Sequence, residues 1–470
     1  MEGHRRVVCG ATQIIGLLTF IYLFYTQSFG FDPIKLWLGT RNLLKFNARM
    51  EELAVICEDT SHQSFKSLIG DADDLQKLET TGFACDSTVH SLVCVASNPV
   101  KINTKTMNIY MPRQLISTKR TNYSIKDEVI KGVQVRPYAW AQYELLKNVT
   151  PVNFLQQPPQ SPELYCDYNY TIPAVVFSSG GFAGNLFHEF NEIIIPLFMT
   201  TRLFKSRVKF ILVDYNPYLV TKYTRIFSSL SNYNVLNPSI NTSVVHCFPG
   251  VVVGLKFHNY LSINSSEVPK GNSMLEFKKF LQTTYGLKIT NVTNTGSTTP
   301  TLILVSRRKT RLFLNEDEMV DMMEDLGFEV LVVRSNKKMS NLDKFAKVVN
   351  TASVLVGTHG AGLTNQVFLP SGAVVVQVVP LALEWPSSVY FGGPAVGMGL
   401  HYLDYKIGPD ESSLIESYPR SDPVISDPGS VFAKGYYVGK EMYLDKQNIR
   451  VDVNRFKGTL VEALKLLGRI

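Results

Sequence analysis

From residue 301 onward, short apolar runs alternate with amphipathic stretches. TLILVS, EVLVVR, SVLVG and AVVVQVV are near-continuous in Val, Ile and Leu, the pattern of strands buried on both faces of a parallel sheet. NEDEMVDMMEDLGF, LDKFAKVVNTA and LTNQVFL lie between and after them and read as helices. In the first of these Asn315 stands as N-cap, Glu318 follows three residues on, and Gly327 marks the end. Strands alternating with helices predict a doubly wound parallel sheet, whose ligands bind beyond the carboxyl ends of the strands. The closing VNRFKGTLVEALKLLG is an amphipathic helix expected to pack on the body.

The earlier part is less regular. Between Cys85 and Gly286 the runs AVVFSS, KFILVDY and VVVGLKF alternate with turn residues, and the polar GLKITNVTNTGSTTPT that follows reads as a linker. The pattern therefore divides the body into an α/β unit over 81–290 and a second over 291–470. Residues 27–80, of mixed polarity with a short helical pattern at Leu43–Val55, read as a stem. Before it, VVCGATQIIGLLTFIYLFY carries no charge, and a span needs about 20 apolar residues. Arg5 and Arg6 precede this run, and Asp32 is the first charge beyond it. Positive residues stay cytoplasmic, so 1–6 is expected as a cytoplasmic tail, 7–26 as an uncleaved anchor, and the body on the lumenal side.

Composition narrows the function classes. Net charge is +7 over 470 residues, with the cations scattered, so nucleic acid is not an expected partner. A mildly basic balance suits an anionic small ligand. Sequons at Asn122, Asn148, Asn169, Asn241, Asn264 and Asn291 fit lumenal exposure, and none follows Asn291. No C-x-x-C occurs, which argues against a zinc ribbon. In an oxidising lumen Cys85 is expected to pair with Cys94 and Cys166 with Cys247, leaving Cys57 over and Cys9 in the anchor.

Three loops could carry chemistry. His359-Gly360-Ala361-Gly362 ends one parallel strand and opens a helix, where glycines let the backbone approach an anion. Ser306-Arg307-Arg308-Lys309-Thr310-Arg311 ends another strand of the same sheet, and a guanidinium fork suits pyrophosphate. The third, AVVFSSGGFAGNLFHEFNEIIIPLF, reads strand, glycine loop with Gly180 and Gly181, then helix. On that helix Asn185, His188, Glu189 and Glu192 share a polar stripe, and His188 meets Glu192 at i, i+4. A histidine held by a carboxylate is a usable general base. Pro196 is expected to kink or end the helix. The one D-x-D, Asp71-Ala72-Asp73, falls in the stem rather than after a strand, so no metal is expected to hold the ligand. An anion site facing a candidate base, behind a secretory anchor, describes a transferase using a nucleotide sugar.

GGFAGNLFHEFNEIIIPLF, SRRKTRLFLNEDE, GTHGAGLTNQVFLP and YPRSDPVISDP resemble glycosyltransferase family 61, in particular the plant branch that decorates xylan with arabinose or xylose. The likeness runs from Cys85 to the end. It implies a GT-B-type α/β architecture, with two Rossmann-like domains facing across a cleft. It also implies inverting transfer and type II Golgi residence. The family's Asn-x-x-His-x-x-x-acid pattern falls on Asn185, His188 and Glu192, the Ser-Arg and Arg-x-x-x-Asn elements on Ser306, Arg307, Arg311 and Asn315, and the glycine loop on His359 to Gly362, with Asn365 after it. The resemblance thus implies His188 and Glu192 as catalytic, either one as the base. Gly180, Gly181 and Asn185 fall on the acceptor side, and Ser306, Arg307, Arg311, Asn315, His359, Gly360, Ala361, Gly362 and Asn365 on the donor. After Cys94 the chain reads ASNPVKI where relatives often carry Gly-Asp-Val-Arg. A UDP-pentose donor, a xylan or other glycan acceptor, no resident cofactor, and association with other Golgi transferases complete the expectation. Other family branches make transfer of xylose or N-acetylglucosamine to glycoproteins the alternative, and a catalytically silent Golgi scaffold is the non-enzymatic one.

Overall fold

The computed structural model describes residues 61–470 apart from 89, 113–131, 157–163, 241–243, 258, 266–271, 295, 297 and 335–340. The anchor, Cys9, Cys57, Asn122 and Asn241 lie outside the described residues. Among the described residues no helix is long and apolar enough to cross a membrane. The chain forms two compact units, Met1–Ser67 and Leu68–Ile470. Of the first, only 61–67 are described, and they are largely helical.

The second unit is mixed α/β with three sheets. Its first half contains β1 (Phe83–Ser87), β2 (Leu92–Ala96), β3 (Val100–Asn103), β4 (Asn108–Met111), β5 (Val133–Val135), β6 (Val152–Gln156), β7 (Tyr168–Asn169), β8 (Ala174–Phe177), β9 (Lys209–Leu212), β10 (Val245–Phe248) and β11 (Val251–Val253). One sheet runs β1-β2-β11-β8-β9 and the other β5-β6-β4-β3-β10-β7. Phe83, Phe154, Val176, Ile211 and Val251 share one apolar core. Only β11, β8 and β9 are mutually parallel in the first sheet. The expectation of a doubly wound sheet in each half is therefore met only partly here. The four-residue link from Ser87 to Leu92 is far too short for a parallel crossover and closes an antiparallel hairpin instead.

The second half is one parallel sheet of β12 (Thr301–Val305), β13 (Glu329–Val333), β14 (Val354–Thr358), β15 (Val374–Val379) and β16 (His401–Lys406), in the order β13-β12-β14-β15-β16. Leu302, Leu304, Val354, Val356, Val374 and Val376 pack with Met319 and Met323 of the helix Glu316–Asp325 and with Phe456, Leu460 and Ala463 of the terminal helix Val453–Leu466. Each such fully buried side chain contributes roughly 1.5–3 kcal/mol. The polar text HYLDYK concealed β16, because this edge strand is largely solvated.

Three local expectations are corrected. LTNQVFL is not an α-helix but part of a tighter 3-10 turn, Ala361–Phe368, wound so close to β12 that a Cβ on Gly362 would lie 2.7 Å from Val305 Cγ1. Asn315 occupies the N-cap position without making a cap bond, because its amide is used by Val451. Of the two outcomes expected at Pro196, the stop does not occur. The helix runs from Leu186–His188 through a widened turn, Glu189–Ile194, into Ile195–Thr201, and the i→i+5 bond from Ile195 N–H to Phe190 O absorbs the irregularity.

Candidate active site

β12 and β14 are neighbours where the strand order reverses, and the loops that follow them meet at that switch point. Gly360, at φ +148, sits so close to Arg307 that a methyl group would overlap its Nη1, with Arg311 Nη2 3.7 Å away. Arg307 is held from behind by Thr310, with Nε donating to the carbonyl at 2.8 Å and Nη2 to Oγ1 at 3.2 Å. Arg311 is 8% exposed, lies in the left-handed region at φ +55, and has a buried Nε without a partner. Its backbone N–H is strapped to Gln447 O at 2.9 Å, which fixes the loop against the C-terminal segment. Among the described residues neither arginine forms an ion pair, whereas exposed Arg308 reaches Glu316 at 3.6 Å. Burial first, then Arg307, pushes the Arg311 guanidinium down to about 9, so it stays charged at neutral pH. Asp445 acts on both guanidinium groups from beyond ion-pair distance, so the buried Arg311 beside the half-buried Arg307 is costly in the free protein and suited to a multiply charged anion.

His359 is buried on the same edge, with Nδ1 3.2 Å from Gln377 Nε2 and 3.1 Å from Ser387 Oγ. Burial, then Arg311 and Arg307, pushes it down to about 3, so the ring is neutral. Asn365 is buried with Nδ2 donating to Gly362 O at 2.8 Å and Oδ1 unpartnered. Ser306 is buried at the end of β12, beside Glu316. Asn315 is spent elsewhere: its Nδ2 donates to Val451 O and Glu318 Oε2, and its Oδ1 accepts from Val451 N–H.

The histidine helix starts after β8. Gly180, at φ +60, lies against the Tyr138 ring, where a Cβ would overlap it. Gly181 is also left-handed, and Asn185 caps the helix by accepting from Phe187 N–H at 3.1 Å. His188 Nδ1 lies 2.9 Å from Glu192 Oε2, and its ring stacks on Phe182 at 4.1 Å. The imidazole is a quarter exposed (26%) while Glu192 is 1% exposed. Glu192 Oε1 also accepts from Asn191 Nδ2 at 2.7 Å. The buried Tyr138 hydroxyl lies near Glu192 without completing a hydrogen bond, and burial followed by that carboxylate raises its pKa. Glu189, on the same predicted stripe, is structural: it takes Gly184 N–H, Lys222 and Tyr223.

The two sides meet through aromatic rings that no sequence pattern marked. Phe391 lies 5.7 Å from Phe187 and 5.4 Å from His359. Tyr390 lies 5.2 Å from Phe187, 4.4 Å from Tyr260 and 6.2 Å from His359. Gln377 carried a signal, a lone amide inside an apolar strand. Tyr138, Tyr260, Ser387 and Tyr390 carried none.

Cys85 is joined to Cys94 and Cys166 to Cys247. Asn148, Asn169 and Asn264 are exposed, and Asn291 is half-buried with Oδ1 accepting from Thr293. Asp71 caps the helix Ala72–Thr81 by accepting from Asp73 and Asp74 N–H.

The family model described as Glycosyltransferase 61 matches residues 49–376. An alpha-1,3-arabinosyltransferase of Oryza sativa subsp. japonica is 38% identical over 391 residues, 82% of this chain and 64% of that protein. A beta-1,2-xylosyltransferase of the same organism is 38% identical over 307 residues, 64% of this chain and 65% of that protein. The chain thus spans just under two thirds of the length of these rice relatives. A xylan glycosyltransferase of Arabidopsis thaliana is 30% identical over 470 residues, 96% of this chain and 90% of that protein. With its family-model match covering more than half of its length, the chain belongs to glycosyltransferase family 61.

Proposed function

We propose that this protein is an inverting glycosyltransferase of GT-B type that moves a pentose, arabinofuranose or xylose, from a UDP-sugar to a xylan backbone. In this reading it is a type II Golgi membrane glycoprotein, anchored by residues 7–26 with its body in the lumen. The observation that carries the reading is the Arg307–Arg311 pair, half-buried and buried in turn, set against Gly360 with no ion-pair partner among the described residues. A UDP diphosphate would neutralise it, and the pair would take the role a metal plays elsewhere. The activities named for the rice and Arabidopsis relatives support pentose as the group and xylan as the acceptor.

The transfer is a single displacement. The acceptor oxygen attacks the anomeric carbon from the face opposite UDP, and the C1–O bond breaks with its electron pair leaving on the diphosphate. The acceptor proton goes to His188 Nε2, because Nδ1 is engaged by Glu192. Glu192 orients the ring and stabilises the imidazolium. Its 1% exposure and its bonds to His188 and Asn191 disfavour it as the base. The half-buried rings of Trp140, Tyr260 and Tyr390, with exposed Trp385, offer flat apolar faces on which sugar rings can lie. Purified protein incubated with UDP-arabinofuranose or UDP-xylose and a panel of xylo-oligosaccharides and glycopeptides tests the reading. Pentosylated xylo-oligosaccharide is expected, and transfer to glycopeptide alone would refute the acceptor.

A further inference from the structure

Gln377 is the only polar residue of β15, VVVQVV, and it is wholly buried. An unbonded buried amide costs about 1–3 kcal/mol, so its partners matter. Tyr402, on the adjacent β16, donates its hydroxyl to Gln377 Oε1 at 2.9 Å. That bond turns the amide so that Nε2 faces His359 Nδ1 at 3.2 Å. The register explains the reach, since Gln377 pairs with Gly357 on β14, two residues before His359. An N–H donor can face Nδ1 only if Nδ1 carries a lone pair. The ring proton must then sit on Nε2, and Ser387 Oγ, 3.1 Å from the same Nδ1, can turn its hydroxyl to donate to that lone pair. The charged groups facing the ring are Arg307 and Arg311, and both disfavour an imidazolium.

We propose that Tyr402 and Gln377 are positioning residues that lock His359 as the neutral Nε2–H tautomer, so that it offers one N–H to the diphosphate of the sugar donor. This rests on the donor-site reading above. The chain of bonds runs Tyr402 O–H to Gln377 Oε1, then Gln377 Nε2–H to His359 Nδ1, and each link dictates the next. A neutral donor adds a directed hydrogen bond without adding a third cation to the arginine pair.

The test is ¹⁵N NMR of the full-length protein labelled in histidine, with His359 assigned by its loss in His359→Gln. The expected spectrum is the neutral Nε2–H pattern, unchanged across neutral pH and shifted at Nε2 by UDP. Gln377→Glu replaces the donor at Nδ1 with an acceptor, so the proton should move to Nδ1 and UDP affinity should fall about tenfold, with kcat changed less. Tyr402→Phe removes only a hydroxyl; it should fold, give mixed tautomers, and lose less affinity than Gln377→Glu. An Nδ1–H pattern in the wild type would overturn the relay, as would an unchanged pattern in Tyr402→Phe. The correct tautomer with no response to UDP would instead overturn the donor-site reading.

Discussion

Arg311 combines burial, a cationic neighbour and a left-handed backbone, and the last alone costs roughly 1–2 kcal/mol. Such strain is stored at functional sites. Arg311→Gln keeps the strained backbone but removes the buried charge and its repulsion from Arg307, so it is expected to melt higher than the wild type when both are free, yet to lose the stabilisation by UDP. For the wild type that stabilisation is about 2.7 kcal/mol at a hundredfold excess over Kd. Scanning fluorimetry with and without UDP decides it, and a retained UDP shift would contradict the assignment. Arg311→Lys keeps the charge but not the fork, and should weaken UDP as well. At His188 the expected effect falls on turnover. His188→Ala should lower kcat by roughly 10²–10⁴-fold with UDP affinity unchanged, and Glu192→Gln should cost less. If Glu192→Gln were the more damaging, the two roles would be exchanged. His359 gives a stability signature. Its folded pKa of about 3 lies below the ordinary 6.5, so between these values the unfolded chain binds a proton that the folded one does not. Stability should then fall as pH drops through that window, by at most about 1.4 kcal/mol per unit. Urea unfolding at several pH values should show this slope in the wild type and lack its His359 share in His359→Gln.

At the scale of elements, four of the five parallel strands were legible because strands buried on both faces are written as apolar runs. β16 was not, because an edge strand keeps polar residues. The turn at Ala361–Phe368 looked helical in the sequence, and only the proximity of Val305 explains its tighter winding. Pro196 removes a backbone donor, but the sequence does not say that the preceding turn widens to accommodate it. The glycine loop is the element most exposed to substitution. Gly360→Ala adds a methyl where Arg307 Nη1 lies, at a backbone angle that favours glycine. It should cost about 1–3 kcal/mol in stability, push Arg307 aside and weaken UDP. Calorimetric titration checks the second effect, and an unchanged Kd would remove Arg307 from the donor site.

At the scale of the whole molecule, the sequence placed two anion-compatible loops on one sheet edge, and the strand order makes them neighbours. What it did not reveal is how the histidine helix meets that edge. Phe187, Tyr260, Tyr390 and Phe391 come from distant segments, and their contacts follow no periodicity. The anion side and the base side therefore emerged separately, and the space between them needed the fold. In the proposed mechanism the arginine pair drives a metal-independent single displacement. The most direct test is the anomeric configuration of the pentose on xylo-oligosaccharide, read by NMR as the product forms from UDP-pentose in excess EDTA. Steady product formation is expected, with the configuration inverted relative to the donor. A retained configuration, or complete loss of product in EDTA with recovery on adding manganese or magnesium, would contradict that mechanism.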